Sequence, residues 1–207
     1  MIDFQNYGPI QMDVLSEIGN IGIGNAATSL SKLVNDRIDM TVPKACFLPY
    51  EEIIALVGGP EEIVGCIVLR LEGDVPGTII YIFHQESMFS LVDMLLGLEL
   101  GTTNELDEMA ESVVMEIGNI LTGSFISAIS MMSQLHMVTT VPLFAYDMLA
   151  AVLMTSLIDT GYIEDQVLLI ETKLSQKDKE IKGNFFLFTD PGALEKVFMS
   201  LGISMEI

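Results

Sequence analysis

Two stretches of this chain, LSEIGNIGIGNAATSLS from Leu15 and VMEIGNILTGSFISAIS from Val114, carry the pentapeptide EIGNI at a spacing of 99 residues. Glu17 and Glu116, Asn20 and Asn119, and Pro43 and Pro142 all keep that one offset. Landmarks recurring at a fixed period mark a duplicated unit. The likeness runs on: IVLRLEGDVPGTIIYIF, residues 67–83, has the shape of VLLIETKLSQKDKEIKGNFFLF, residues 167–188, with a longer polar turn in the second. Each copy then enters a helical pattern that stops at a glycine, Gly97 or Gly202. A seam near Gly101–Glu105 divides the copies.

Each copy predicts a long helix, roughly 10–35 and 105–134, then extended segments near 38–49 and 137–153, a hairpin and a closing helix. A single copy has sheet edges to cover. The expectation is therefore one domain over residues 1–207, made of two repeats, approximately 1–100 and 101–207. They should pack about a pseudo-two-fold axis as a mixed α/β fold, a mostly antiparallel sheet flanked by the long motif helices. Two copies at this period do not make a solenoid.

On a helix, positions 13, 17 and 20 fall within about 60° of each other. Asp13, Glu17 and Asn20 thus share a face, as do Ser112, Glu116 and Asn119, while Leu15, Ile18 and Ile21, or Val114, Ile117 and Ile120, point toward a core. Gly24 and Gly123 extend each stripe by a turn and leave room for another molecule's backbone. The competing reading is an ordinary solvated face. A solvated face favours Lys, Glu or Gln, whereas Gly and Asn weaken a helix and here recur as a pair.

Charge narrows the chemistry. With 29 acidic against 9 basic residues the net charge is −20, which opposes nucleic acid and anionic membranes as partners. No phosphate-cradling glycine loop is present, so a phosphate handled here must be held by another molecule. Cys46 and Cys66 read as small buried hydrophobes, His84 and His136 as structural residues. A carboxylate and an amide alone make a poor metal site and no covalent catalyst. An amide can, however, orient a water for in-line attack on phosphorus, with the glutamate anchoring a partner's cation. The apolar runs are short of a membrane span and the first residues lack a secretory pattern, so a cytoplasmic protein without membrane insertion is expected.

These residues fit D/S-x3-E-x2-N-x22-P twice, as Asp13, Glu17, Asn20 and Pro43 and as Ser112, Glu116, Asn119 and Pro142. The pattern resembles that of the CheC, CheX and FliY phosphatases of bacterial chemotaxis, over essentially the whole chain. The resemblance implies a hydrolase acting on the phospho-aspartate of the response regulator CheY. Glu17 or Glu116 would pair with the regulator's lysine, and Asn20 or Asn119 would position the water. The regulator would supply its own Mg²⁺, and this chain would bind no cofactor. Asp13 and Ser112 would support the docking face, and Pro43 and Pro142 would shape the turn into the strand. The resemblance also implies binding of the receptor deamidase CheD, with FAYDMLAAV and its Asp147 as the candidate contact. An ordinary strand-edge role for Asp147 stands beside that reading. The alternative function is a non-catalytic binding module, a flagellar-switch component or a CheD regulator.

Overall fold

Pro9 opens the first helix, α1 (Pro9–Val34), at a position where its missing N–H costs nothing. The chain is described from a computed structural model, which covers residues 7–160, 166–176 and 179–204. Leu15, Ile18, Ile23, Ala26 and Leu30 line the inner face of α1 and are buried. After α1 come β1 (Asp39–Pro49), α2 (Tyr50–Val57), β2 (Ile63–Gly73), β3 (Gly77–His84) and α3 (Gln85–Leu96). The order then repeats with α4 (Glu108–Ser133), β4 (Met137–Thr139), β5 (Leu143–Met148), α5 (Leu149–Thr160), β6 (Gln166–Gln176), β7 (Lys179–Thr189) and α6 (Ala193–Ser200). Asp107 caps α4 by accepting the Ala110 N–H at 2.8 Å. Both long helices have 26 residues and end on a left-handed residue, Asn35 with φ 51° and Gln134 with φ 59°.

The seven strands form one antiparallel sheet in the order β1-β6-β7-β3-β2-β4, with β5 also on β2. At its centre β3 pairs with β7, and Tyr81 stands opposite Phe185. The outer strands cross over. β1 of the first copy pairs with β6 of the second, while β4 and β5 of the second pair with β2 of the first. Equivalent strands thus lie at equivalent distances from the central pair, which is the pseudo-two-fold arrangement expected.

One face of the sheet packs under α1, α3, α4 and α6 to form the larger core. The other face packs α2 and α5 over a smaller core containing Ile53, Val57, Leu149, Val152 and Leu153. These two helices correct the extended reading of 137–153 and the direct passage from strand to hairpin. Leu149, Val152 and Leu153 are buried at helical spacing while Met154 is 62% exposed, a pattern alternation does not produce. In the first copy Pro49 ends the strand and serves as N-cap of α2.

The glycine-terminated helices stand as expected: Gly97 closes α3 with φ 67°, and Gly202 follows α6 with φ 75°. Between α3 and α4 the linker is fastened by Asp93, a buried carboxylate that accepts from the N–H groups of Gly101, Thr102 and Thr103 at 2.7, 3.1 and 2.9 Å. Burial pushes its pKa up, but these hydrogen bonds, Thr103 foremost, outweigh that and hold it below the ordinary carboxylate value. By length and composition α4 is apolar enough to cross a membrane, more than the short apolar runs suggest. Half of that apolar stretch is buried inside the fold.

Candidate functional site: two ridges on paired helices

α1 and α4 lie against each other over the sheet, and the contact is close where Gly22 meets Phe125. A Cβ on Gly22 would stand 2.8 Å from the Phe125 Cα, so only glycine permits this approach. The inner faces are fixed by Leu15 and Ile18 on α1 and by Val114 and Ile117 on α4, all buried. With those side chains turned inward, helix geometry turns the polar stripes outward. Asp13, Glu17, Asn20 and Gly24 are exposed, and so are Ser112, Glu116, Asn119 and Gly123.

Each ridge is chemically unoccupied by its own fold. Among the described residues, the side chains of Glu17, Asn20, Glu116 and Asn119 make no hydrogen bond or ion pair, whereas the Ser112 hydroxyl donates to the Glu108 carbonyl at 2.8 Å. Carboxylates and amides left unpaired on a rigid helix are available to an incoming surface. Beside Gly24 and Gly123 a Cβ would meet nothing within 4 Å, so the ridges run on without obstruction.

Five positions differ from the sequence reading. Ile21 is 37% exposed, because it lies too far around the helix from Leu15 to reach the core, and it borders Asn20 instead. The glycines of the two Gly-Asn pairs serve packing: Gly19 lies against Val42 and Ile170, and a Cβ on Gly118 would stand 2.5 Å from Ile67. Only the asparagines are displayed. Pro43 falls inside β1, where the pairing with β6 shifts between Thr41 and Lys44, rather than in the turn before the strand. Pro142 falls in the matching break between β4 and β5. A residue with no N–H is accommodated where a ladder is interrupted.

Asp147 belongs to the other side of the sheet. It is exposed at the end of β5, its carboxylate accepts the Met148 N–H at 2.7 Å, and it lines a cleft of about 300 Å³ with Arg70, Leu143 and Val152. Cys66 is buried and Cys46 half-buried, both free, and burial pushes both thiols up. His84 stands 3.2 Å from Glu62, and His136 is exposed with its backbone N–H donating to Asp74. Among the described residues no cluster of three His, Cys, Asp or Glu is arranged to hold a metal ion.

The CheY-P phosphatase CheC of Bacillus subtilis (strain 168) is 34% identical over 201 residues, which cover 94% of this chain and 95% of that protein. The chain belongs to the CheC-like family. The family's model matches residues 10–45 and 109–146, so each match runs from a ridge through its proline. Among solved structures, FliY of Thermotoga maritima superposes with a TM-score of 0.80 at 19% identity, covering 98% of each chain. The FliM middle domain of H. pylori does so with a TM-score of 0.68 at 10% identity, covering 94% of this chain and 99% of that one. Both likenesses concern the fold of the CheC-like chain.

Sequence reading did not single out what lies past the ridges. A groove of about 750 Å³ extends from Gly24 along α1 to the start of β1, and one of about 560 Å³ extends from Gly123 along α4 to β4. Carrying the offset of 99 beyond the two glycines is the signal that finds them, since Lys32 then aligns with Met131.

Proposed function

We propose that this chain is a chemotaxis phosphatase that hydrolyses the aspartyl phosphate of the response regulator CheY. The observation that carries the reading is the pair of exposed, unpartnered Glu/Asn ridges at one register, in a chain that aligns almost end to end with a CheY-P phosphatase. Each ridge docks into the regulator's phosphorylated site. Glu17 or Glu116 pairs with the regulator's lysine. The amide of Asn20 or Asn119 accepts from and donates to a water, holding it in line with phosphorus. Water attacks phosphorus, the bond to the aspartyl oxygen breaks, and the carboxylate leaves with inorganic phosphate carrying the water's proton. Mg²⁺ is the regulator's own and balances the charge on the phosphoryl oxygens.

Support for division of labour between two proteins comes from charge: a chain at −20 is ill suited to bind phosphate by itself. Asp13 and Ser112 flank the catalytic pairs as docking residues. The experiment is phosphate release from phosphorylated CheY. Replacing Glu17, Asn20, Glu116 and Asn119 together with Ala should reduce the acceleration at least about a hundredfold, the scale set by misplacing a reacting group. Retention of wild-type acceleration by that variant would refute the assignment.

A second reading, a binding module for CheD, is favoured by the position of Asp147 at an open cleft across the sheet from the ridges. We assign Asp147 to that contact. Capture of CheD that Asp147→Ala abolishes, with no phosphate release from the unaltered chain, would select this reading over the enzyme.

A further inference from the structure

The glycine before each asparagine rests on a different floor. Gly19 and Gly118 hold matching places in the two copies, and both are buried. A Cβ on Gly19 would meet Val42 at 3.4 and 3.7 Å and Ile170 at 3.8 Å, which is ordinary contact. On Gly118 its three nearest atoms would all belong to Ile67, with Cδ1 at 2.5 Å and Cγ2 at 2.7 Å, too close for packed carbons. Ile170 is the match of Ile67, since it pairs with Ala45 as Ile67 pairs with Phe144, 99 residues on. The strand beneath the helix explains the contrast. Val42 lies in β1 under α1 and is the nearer support of Gly19. Its match in the second copy is Val141, which falls in the break between β4 and β5 and is 81% exposed. With that cushion turned out to solvent, α4 settles directly onto Ile67. Ile67 is fully buried and held in β2 between Tyr81 of β3 and Phe144 of β5, so it has little room to yield.

We infer that Ile67 is the positioning residue of the second site: it sets the height of α4 over the sheet and, through it, the place of the Asn119 amide. The inference rests on the phosphatase reading above. Gly118 and Asn119 are adjacent in one helix, so a backbone lifted at the glycine carries the amide with it. In-line attack tolerates little of this, since a misplacement of ~1 Å costs about a hundredfold. An interaction that matters only as the water attacks is lost from kcat and leaves KM nearly unchanged. Asn20 does not depend on Ile170 in this way, because Val42 is the nearer support. The second asparagine is thus placed by a side chain of the other copy, and the first by one of its own.

The test measures phosphate release from phosphorylated CheY in two backgrounds: Asn20→Ala, which leaves the second ridge working, and Asn119→Ala, which leaves the first. With the second ridge working, Gly118→Ala should lower kcat at least about tenfold with KM within about threefold. Adding Ile67→Ala removes both crowding atoms and should return kcat to within about threefold of the background, a coupling that two independent sites would not show. With the first ridge working, the same changes should leave kcat within about twofold, as should Gly19→Ala. Should the alanine pair fail to fold, Gly118→Ala with Ile67→Val, which removes the atom at 2.5 Å, should recover at least about threefold of the lost kcat. The inference is overturned by a kcat that Gly118→Ala leaves unchanged, by an equal loss at both ridges, or by no recovery in the variant that folds. Those outcomes leave the phosphatase reading standing. Absence of phosphate release from Asn20→Ala itself refutes instead the catalytic reading of the second ridge, and the role of Ile67 falls with it.

Discussion

Asn20 and Gly19 sit side by side as two helix-weakening residues kept in both copies, yet their reasons differ. The asparagine is displayed, while its neighbour lets α1 settle onto Val42 and Ile170. Gly24 and Gly123 are a third case, with open space beside them. Alanine at either should therefore stabilise the chain by about 0.5–1 kcal/mol through helix propensity, measurable by chemical denaturation. Leucine at Gly123 should fold equally well and lower kcat/KM at least tenfold, because a partner's backbone is kept away from the ridge. Sequence made the display of Glu17, Asn20, Glu116 and Asn119 legible, since helical phase alone separates them from Leu15 and Val114. It also placed Gly24 and Gly123 on the open stripe, but it grouped Gly19 and Gly118 with the displayed asparagines as a recurring pair, and adjacency in sequence does not tell that these two glycines face Val42, Ile170 and Ile67. Ile21 was misplaced for the related reason that hydrophobicity was allowed to outrank phase.

Elements were legible where their period was long. α1 and α4 offered seven turns of evidence, and the hairpins were bounded by turns. α2 and α5 were short and apolar, and a run such as MLAAVLM fits a buried strand or a buried helix until its neighbours choose. The join between α3 and α4 was seen only as a seam, although one side chain secures it. Asp93 should be worth about 1.5–3 kcal/mol, the range for hydrogen bonds to a charged group, and Asp93→Asn should lose most of it at pH 7. Because its folded pKa lies below the unfolded value of about 3.9, the contribution is full above that pH. It disappears as pH falls through the lowered folded pKa. The gap in unfolding free energy between the two proteins should accordingly narrow in acid, as denaturation at pH 7 and below pH 4 would record.

At the scale of the whole molecule the duplication was written plainly, but the exchange of outer strands was not, since pairing between copies leaves no local mark in either. β1 has its partner in the second copy, and β4 and β5 have theirs in the first. Residues 1–104 produced alone should therefore fail to give a cooperatively unfolding monomer, by calorimetry and sedimentation, and should recover native structure on mixing with residues 105–207. The same exchange places part of the support beneath each ridge helix in the other copy. Gly118 rests on Ile67, which belongs to the first copy, and Gly19 rests on Val42 of its own copy with Ile170 of the second beside it. A lesion in the first half of the gene can in this way unsettle the asparagine encoded by the other half. Inheritance of the two sites is thus tied together, and neither can drift without the floor beneath its twin being altered too.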